Sequence, residues 1–211
     1  MERTIKVTGR GQVRLKPDLI RLQIGLKGVK KTYAETLALS GQTHADLKAA
    51  LAAAGFSPEA LKTTGFEINT KYENVRGENG EWRQVFAGYE FAHSLKLELA
   101  PEGELGRAAA ALEDCGPSDL SFVYTVRDPS SAREELLKEA AADARRKAEV
   151  LAGASGVRLG ELLTVEYAFG PRPAERRAMP LRAAGAAEAD LDFCPDEIEL
   201  SDSVAMTWAI G

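Results

Sequence analysis

One stretch constrains the chain more than any other, Asp128 to Gly160, DPSSAREELLKEAAADARRKAEVLAGASGVRLG. Asp128 is suited to an N-cap, with Pro129 at the first helical position, where its missing N–H costs nothing. Ser131 and Glu134 offer a rival capping box one turn later. Leu137, Ala140, Ala141, Ala144, Ala148, Leu151 and Ala152 recur at three- and four-residue spacing, which draws one apolar stripe along a long helix. Glu135, Lys138, Glu139, Arg145, Arg146 and Glu149 fall mainly off that stripe. A stripe made mostly of alanine lets the helix approach a flat partner closely, so its expected neighbour is a sheet. Gly153 and Gly156 are candidate left-handed stops.

The rest of the chain supplies strands for that sheet. Ile5, Val7, Val13 and Leu15 alternate, as do Ile20, Leu22, Ile24 and Leu26. A turn at Pro17-Asp18 would make them a hairpin with Leu15 facing Ile20 and Val13 facing Leu22. Gly9 and Gly11 interrupt the first strand. They read as a bulge or a close backbone approach, because a phosphate loop would need a following helix. Thr32 and Glu35 form a capping box for a helix carrying Tyr33, Leu37, Ser40, His44, Leu47, Leu51 and Ala54 on one face, ending at Gly55. Glu104, Leu105, Ala108, Ala109 and Leu112 make a short helix stopped by Gly116-Pro117. Leu120, Phe122, Tyr124 and Val126 alternate, Leu162 to Phe169 reads as a strand, and Ile198 to Ile210 as a long closing one.

Between the first two helices lies a long hairpin. Phe66, Ile68, Thr70 and Tyr72 alternate before Asn79-Gly80, the strongest two-residue turn signal. Counting back from that turn sets Phe66 against His93, Ile68 against Phe91 and Thr70 against Tyr89, in agreement with the apolar set Phe91, Leu95, Leu97 and Leu99. Toward the tip, Val75, Trp82 and Phe86 fall on one face and Val85 on the other. A two-stranded ribbon cannot bury both faces itself. The arm is expected to rest on a second copy of the chain or under a local loop.

The fold class that follows is α+β, order ββαββαβαββ, with antiparallel-rich sheets packed on three helices and a projecting hairpin. It forms one domain over 1–211 or two α/β subdomains within it. Residues 170–195 lack periodicity and read as a mobile insert. Arg172, Arg176, Arg177 and Arg182 in its basic half are candidate anion contacts, against the commoner reading of a solvated loop.

Composition narrows the function. With 27 Lys+Arg against 32 Asp+Glu, the net charge of −5 disfavours a nucleic-acid surface. No apolar run reaches the length of a membrane span. MERTIKV enters a strand pattern directly, which implies either a cytoplasmic protein or a start after a removed leader. Cys115 and Cys194 are two thiols or one bridge. His44 and His93 both fall on inward faces, where hydrogen-bonded core or interface histidines are expected rather than a metal pair. No CxxC, HExxH or GxSxG spacing is present. No cofactor and no catalytic residue is therefore assigned. Asp18 reads as a turn residue, and Asp143 as a helical neighbour of Lys147.

Several words recur in one family in this order: VTGRGQV with KPD, LKTTGFEINTKYE, GYEFAHSLKLEL, DARRKAEVLAGASGVRLGEL and PDEIELSDSVAMTW. Over residues 4 to 209 the chain resembles the SIMPL-domain family, which includes periplasmic immunogenic proteins. The resemblance implies an α/β domain and homo-oligomers. Many bacterial relatives are exported and linked to stress tolerance, and an animal relative partners a kinase in signalling. It carries over no catalytic residues, and the sequence lacks the leader of exported relatives. Three functions follow in order: an oligomeric structural or interaction protein, a small-molecule or anion-binding module, and an enzyme with an unrecognised site.

Overall fold

The computed structural model describes residues 3–76, 81–101, 103–167 and 195–211, together with the backbone of 172–173 and 179–180. It is an α+β protein of antiparallel sheets and three helices. The order is β1 (Thr4–Leu15), β2 (Leu19–Lys30), α1 (Tyr33–Ala53), β3 (Lys62–Arg76), β4 (Trp82–Leu99) and α2 (Glu104–Glu113). Then come β5 (Asp119–Thr125), α3 (Ser130–Ala154), β6 (Leu159–Glu166), β7 (Arg172–Pro173), β8 (Met179–Pro180) and β9 (Ile198–Ile210). Two compact units result. One holds β1, α3, β6, β7 and β9; the other holds β2 to β5, α1, α2 and β8.

In the first unit the sheet order is β1-β9-β6, with β7 also paired to β9. β1 and β9 run in continuous register from Thr4↔Ala209 to Leu15↔Ile198. α3 lies across β1, and its buried stripe is Ala132, Leu136, Ala140, Ala144, Ala148 and Ala152. The buried positions repeat strictly every four residues, so Leu136 rather than Leu137 faces the sheet. Leu137 and Leu151 are exposed. The narrow alanine row is the only part of the helix that fits against the strand, which shifts the stripe by one position at its leucine end. Asp128 does serve the N-terminus, by accepting from the Ser130 amide at 2.9 Å, but the helix begins one residue after Pro129.

The Gly-Arg-Gly word explains how close that approach is. A Cβ at Gly9 would strike the Ala140 carbonyl and Ala144 amide and sit 2.7 Å from the Ala144 Cβ. One at Gly11 would strike the Leu136 carbonyl. The register through both glycines is unbroken, so they permit contact without a bulge. The β1 edge is then closed by the helix itself. Asp143 accepts from the Arg10 amide at 2.9 Å and Glu139 from the Gln12 amide at 3.1 Å, while Lys147 donates to the Thr8 carbonyl at 3.3 Å. Four helical residues advance about 6 Å, and two strand residues about 6.6–6.8 Å. Side chains at 139, 143 and 147 therefore stay in step with backbone groups at 12, 10 and 8. Asp143 is thus an edge cap as well as a partner of Lys147 (2.7 Å) and Arg146. These donors hold its carboxyl down at about 2, with Lys147 the largest cause and the Arg10 amide next.

In the second unit the order is β3-β4-β2-β5-β8. β2 is central: Ile20↔Leu99 to Lys30↔Tyr89 pairs it with β4, and Leu19↔Thr125 to Gly25↔Asp119 with β5. The expected hairpin of β1 with β2 is therefore absent, because both edges of β2 are taken and β1 belongs to the other sheet. Leu22, Ile24, Leu26, Phe91, Leu95, Leu97 and Phe122 form the core beneath Leu47 and Leu51 of α1 and Leu105, Ala108 and Leu112 of α2. Each such leucine contributes about 1.5–3 kcal/mol by burial. The capping box at Thr32 and Glu35 is formed. In the first turn of α1, however, Thr36 is buried, while Tyr33 and Leu37 are exposed. Thr36 Oγ1 donates to the Thr32 carbonyl and lies 3.2 Å from that of Tyr89.

Within the 170–195 stretch, Arg172↔Ser201 and Phe122↔Met179 add short backbone pairs. Apart from Pro195, its remaining residues and the side chains of 172–173 and 179–180 lie outside the described ones. β6 spans Leu159–Glu166, earlier than the expected Leu162 to Phe169. Cys115 is a free, half-buried thiol whose pKa burial pushes up, and Cys194 lies outside the described residues.

Two glycines separate packing from propensity. Gly9→Ala is expected to lower stability by on the order of 1–3 kcal/mol or more, as overpacking against backbone does. Gly41→Ala, in α1 with open space around it, should raise stability by roughly 0.5–1 kcal/mol. Thermal unfolding of the two variants checks this. Similar shifts in both would contradict the close approach.

Candidate interaction surface

The candidate surface grows from the β3–β4 hairpin. Phe66↔His93, Ile68↔Phe91 and Thr70↔Tyr89 hold as the turn-derived register predicts. Between Lys71↔Gly88 and Tyr72↔Phe86 the register slips, leaving Ala87 as an extra residue on β4. This bulge centres on Gly88, whose φ of 144° lies where L side chains are rarely found. A Cβ there would also strike the Lys30 carbonyl. Lys31 Nζ donates to the Ala87 carbonyl at 3.0 Å and so satisfies the displaced group.

A one-residue slip exchanges faces. Tyr72↔Phe86, Asn74↔Gln84 and Arg76↔Trp82 now share one face, while Val75↔Arg83 and Glu73↔Val85 share the other. Val75 thus lies with Val85, not with Trp82 and Phe86 as the uninterrupted count required. Asn79-Gly80 lies outside the described residues.

Past the bulge, the Tyr72–Phe86–Trp82 face continues the one that α1 covers. Tyr33 packs edge-on to Tyr89 (5.9 Å between centroids), Tyr89 to Phe86 (5.4 Å) and Phe86 to Tyr72 (5.9 Å). α1 begins at Tyr33, so nothing in the described unit covers the strip beyond. Trp82 is 70% exposed, Tyr72 53% and Phe86 41%. Tyr33, Leu37 and Phe66 extend the exposed apolar surface. The sequence reading missed Tyr72 and these three. Gly88 inside a strand was the available signal for the bulge that gathers Tyr72 with Phe86. The opposite face carries the exposed Val75 and Val85 beside a charged pair: Lys71 bonds to Glu90, which raises the lysine's pKa.

His44 and His93 do meet, with ring centroids 5.0 Å apart. His93 is buried, its Nε2 lies 2.9 Å from Thr63 Oγ1, and Phe66 stands edge-on over the ring. Burial, then His44, holds His93 below the ordinary histidine value; burial, then Lys48, does the same to His44. Among the described residues no group of three or more His, Cys, Asp or Glu side chains is placed to hold a metal. Of the arginines at 172, 176, 177 and 182, only the Arg172 backbone is described, in β7.

The lowered histidine values set a pH dependence. The unfolded chain binds more protons as pH falls below about 6.5. Stability is full above that value and declines as pH falls toward the folded values. Urea unfolding between pH 7.5 and 5 should show this decline, and His93→Gln should flatten it. An unchanged slope in the variant would remove the histidine pair as its cause.

Residues 5–208 match the model of SIMPL, described as a protein of unknown function (DUF541). The 26 kDa periplasmic immunogenic proteins of Brucella abortus (strain S19) and Brucella melitensis biotype 1 are each 30% identical over 173 residues. The alignment covers 80% of this chain and 68% of each relative. A structure of CutA from Synechococcus elongatus PCC7942 aligns over 61% of this chain and 94% of its own. Its identity is 16% and its TM-score 0.24, too low to carry any argument. Among the described residues no helix is long and apolar enough to cross a membrane. With the match running over nearly the whole chain and two relatives at this identity, the chain belongs to the SIMPL family.

Proposed function

We propose that this chain is a non-enzymatic assembly and interaction protein that associates with further copies of itself through the aromatic face of its arm. One observation carries the reading: the covering helix starts only at Tyr33, while the sheet face beneath it runs on past that point through Tyr72, Phe86 and Trp82. Exposed aromatics on one face of a ribbon suit interface cores, where tyrosine, tryptophan and phenylalanine are enriched. Among the described residues the grouped titratable side chains serve as edge caps, surface pairs and the histidine pair, which gives an enzyme reading less support. Both curated relatives carry a periplasmic name, and we place this chain in the same exported, envelope setting.

Sedimentation velocity and native mass spectrometry test the assembly. The parent is expected to be a multimer that Trp82→Ser shifts toward monomer at equal concentration. A monomeric parent, with Trp82→Ser leaving the mass unchanged, would refute it. Fractionation of cells carrying the natural gene tests the compartment, and recovery in the cytoplasm alone would contradict an exported role.

A further inference from the structure

We infer that the outer edge of β3 pairs antiparallel with β3 of a second copy, in one register, centred on Asn69. This rests on the self-association proposed above and names the geometry of the contact. β3 is the terminal strand of its sheet and spans Lys62–Arg76. From Gly65 to Arg76 it is regular, because the bulge at Ala87 belongs to β4 and the other irregularity lies between Thr63 and Gly65. A long, regular edge presents a row of unpaired backbone groups, which proteins ordinarily blunt. This chain blunts the β1 edge with Asp143, Glu139 and Lys147 of α3. β6, the terminal strand on the other side of that sheet, is short and its pairing is broken by two register shifts. Among the described residues β3 has neither device.

It does carry charges, which often discourage edge pairing, but their order is self-complementary. A two-fold axis perpendicular to the sheet keeps both copies' helices on one side and requires partner residues to share a face. Centred on Asn69, it sets Glu67 opposite Lys71 twice, Phe66 opposite Tyr72 twice and Ile68 opposite Thr70. The neighbouring choices fail on charge. Centring on Thr70 sets Glu67 against Glu73, on Lys71 sets that lysine against itself, and on Glu67 does the same for a carboxylate. Centring on Ile68 makes no ion pair. Centring on Tyr72 does pair Lys71 with Glu73, but it sets Ile68 against Arg76. In the Asn69 register the exposed Phe66 and Tyr72 of one copy meet Tyr72 and Phe66 of the other, so the aromatic strip becomes continuous across both.

The register is tested by cross-linking. Opposed residues lie about 4.5–5.5 Å apart between Cα atoms, inside the range of about 4.4–6.8 Å that a disulfide bridges. Asn69→Cys, on an exposed position, should give a covalent dimer on mild oxidation, with the bond mapped by mass spectrometry to position 69 of both chains. Glu73→Cys should not, because its two copies would be about 26 Å apart along the strands. Glu67→Lys should raise the concentration needed for association about tenfold. Failure of Asn69→Cys to cross-link in a chain that still associates, or equal cross-linking by Glu73→Cys, would overturn the edge pairing. Sensitivity to Trp82→Ser would then still leave the arm reading standing. A chain that stays monomeric removes both.

Discussion

The first unit depends on how closely α3 approaches β1. Gly9 and Gly11 remove the side chains that would hold the helix away, and alanines at every fourth position remove them from the helix side. Only at that distance do Glu139 and Asp143 reach the backbone amides of Gln12 and Arg10. Packing and edge protection are therefore one interaction. The helical advance over four residues and the strand advance over two nearly match, so one row of side chains can serve one row of backbone groups.

The second unit solves its problem differently. Its helices cover the sheet core, but α1 starts only at Tyr33 while β3 and β4 continue past that point. The bulge at Gly88 keeps Phe86 and Trp82 on the covered side's face rather than letting the count carry them to the polar one. Without that extra residue, the aromatics would lie on the same side as Lys71 and Glu90. A single glycine-centred bulge thus decides that Tyr72, Phe86 and Trp82 share one face of the arm and that Val75 and Val85 share the other. The assembly proposed for this SIMPL chain follows from that division.

Much of this was legible in the residues. The Thr32–Glu35 box, the Phe66–Tyr89 register, the glycine word in β1 and the alanine helix each follow from local chemistry with one dominant solution. The errors arose where local rules were satisfied twice. Residues on either side of Pro17-Asp18 made a self-consistent hairpin, yet β2 found two better neighbours in β4 and β5 and β1 found β9. Leu136 and Leu137 both fit a loose helical stripe, and only the tight fit on β1 chose between them. Val75 was assigned to the wrong face because a bulge changes parity without changing composition. The capping role of Asp143 was invisible, since the strand edge it serves lies far away in sequence.

The β1 edge of one sheet is closed from within, and the β3 edge of the other is the one proposed for a second copy. Amide hydrogen exchange read across protein concentration tests this most directly. Arg10 and Gln12 should be protected at every concentration, because α3 supplies their acceptors. Alternate amides of Gly65–Glu73 should exchange freely when the chain is dilute and gain protection as concentration rises. Exchange in β3 that is independent of concentration, across a range where the mass changes, would contradict it.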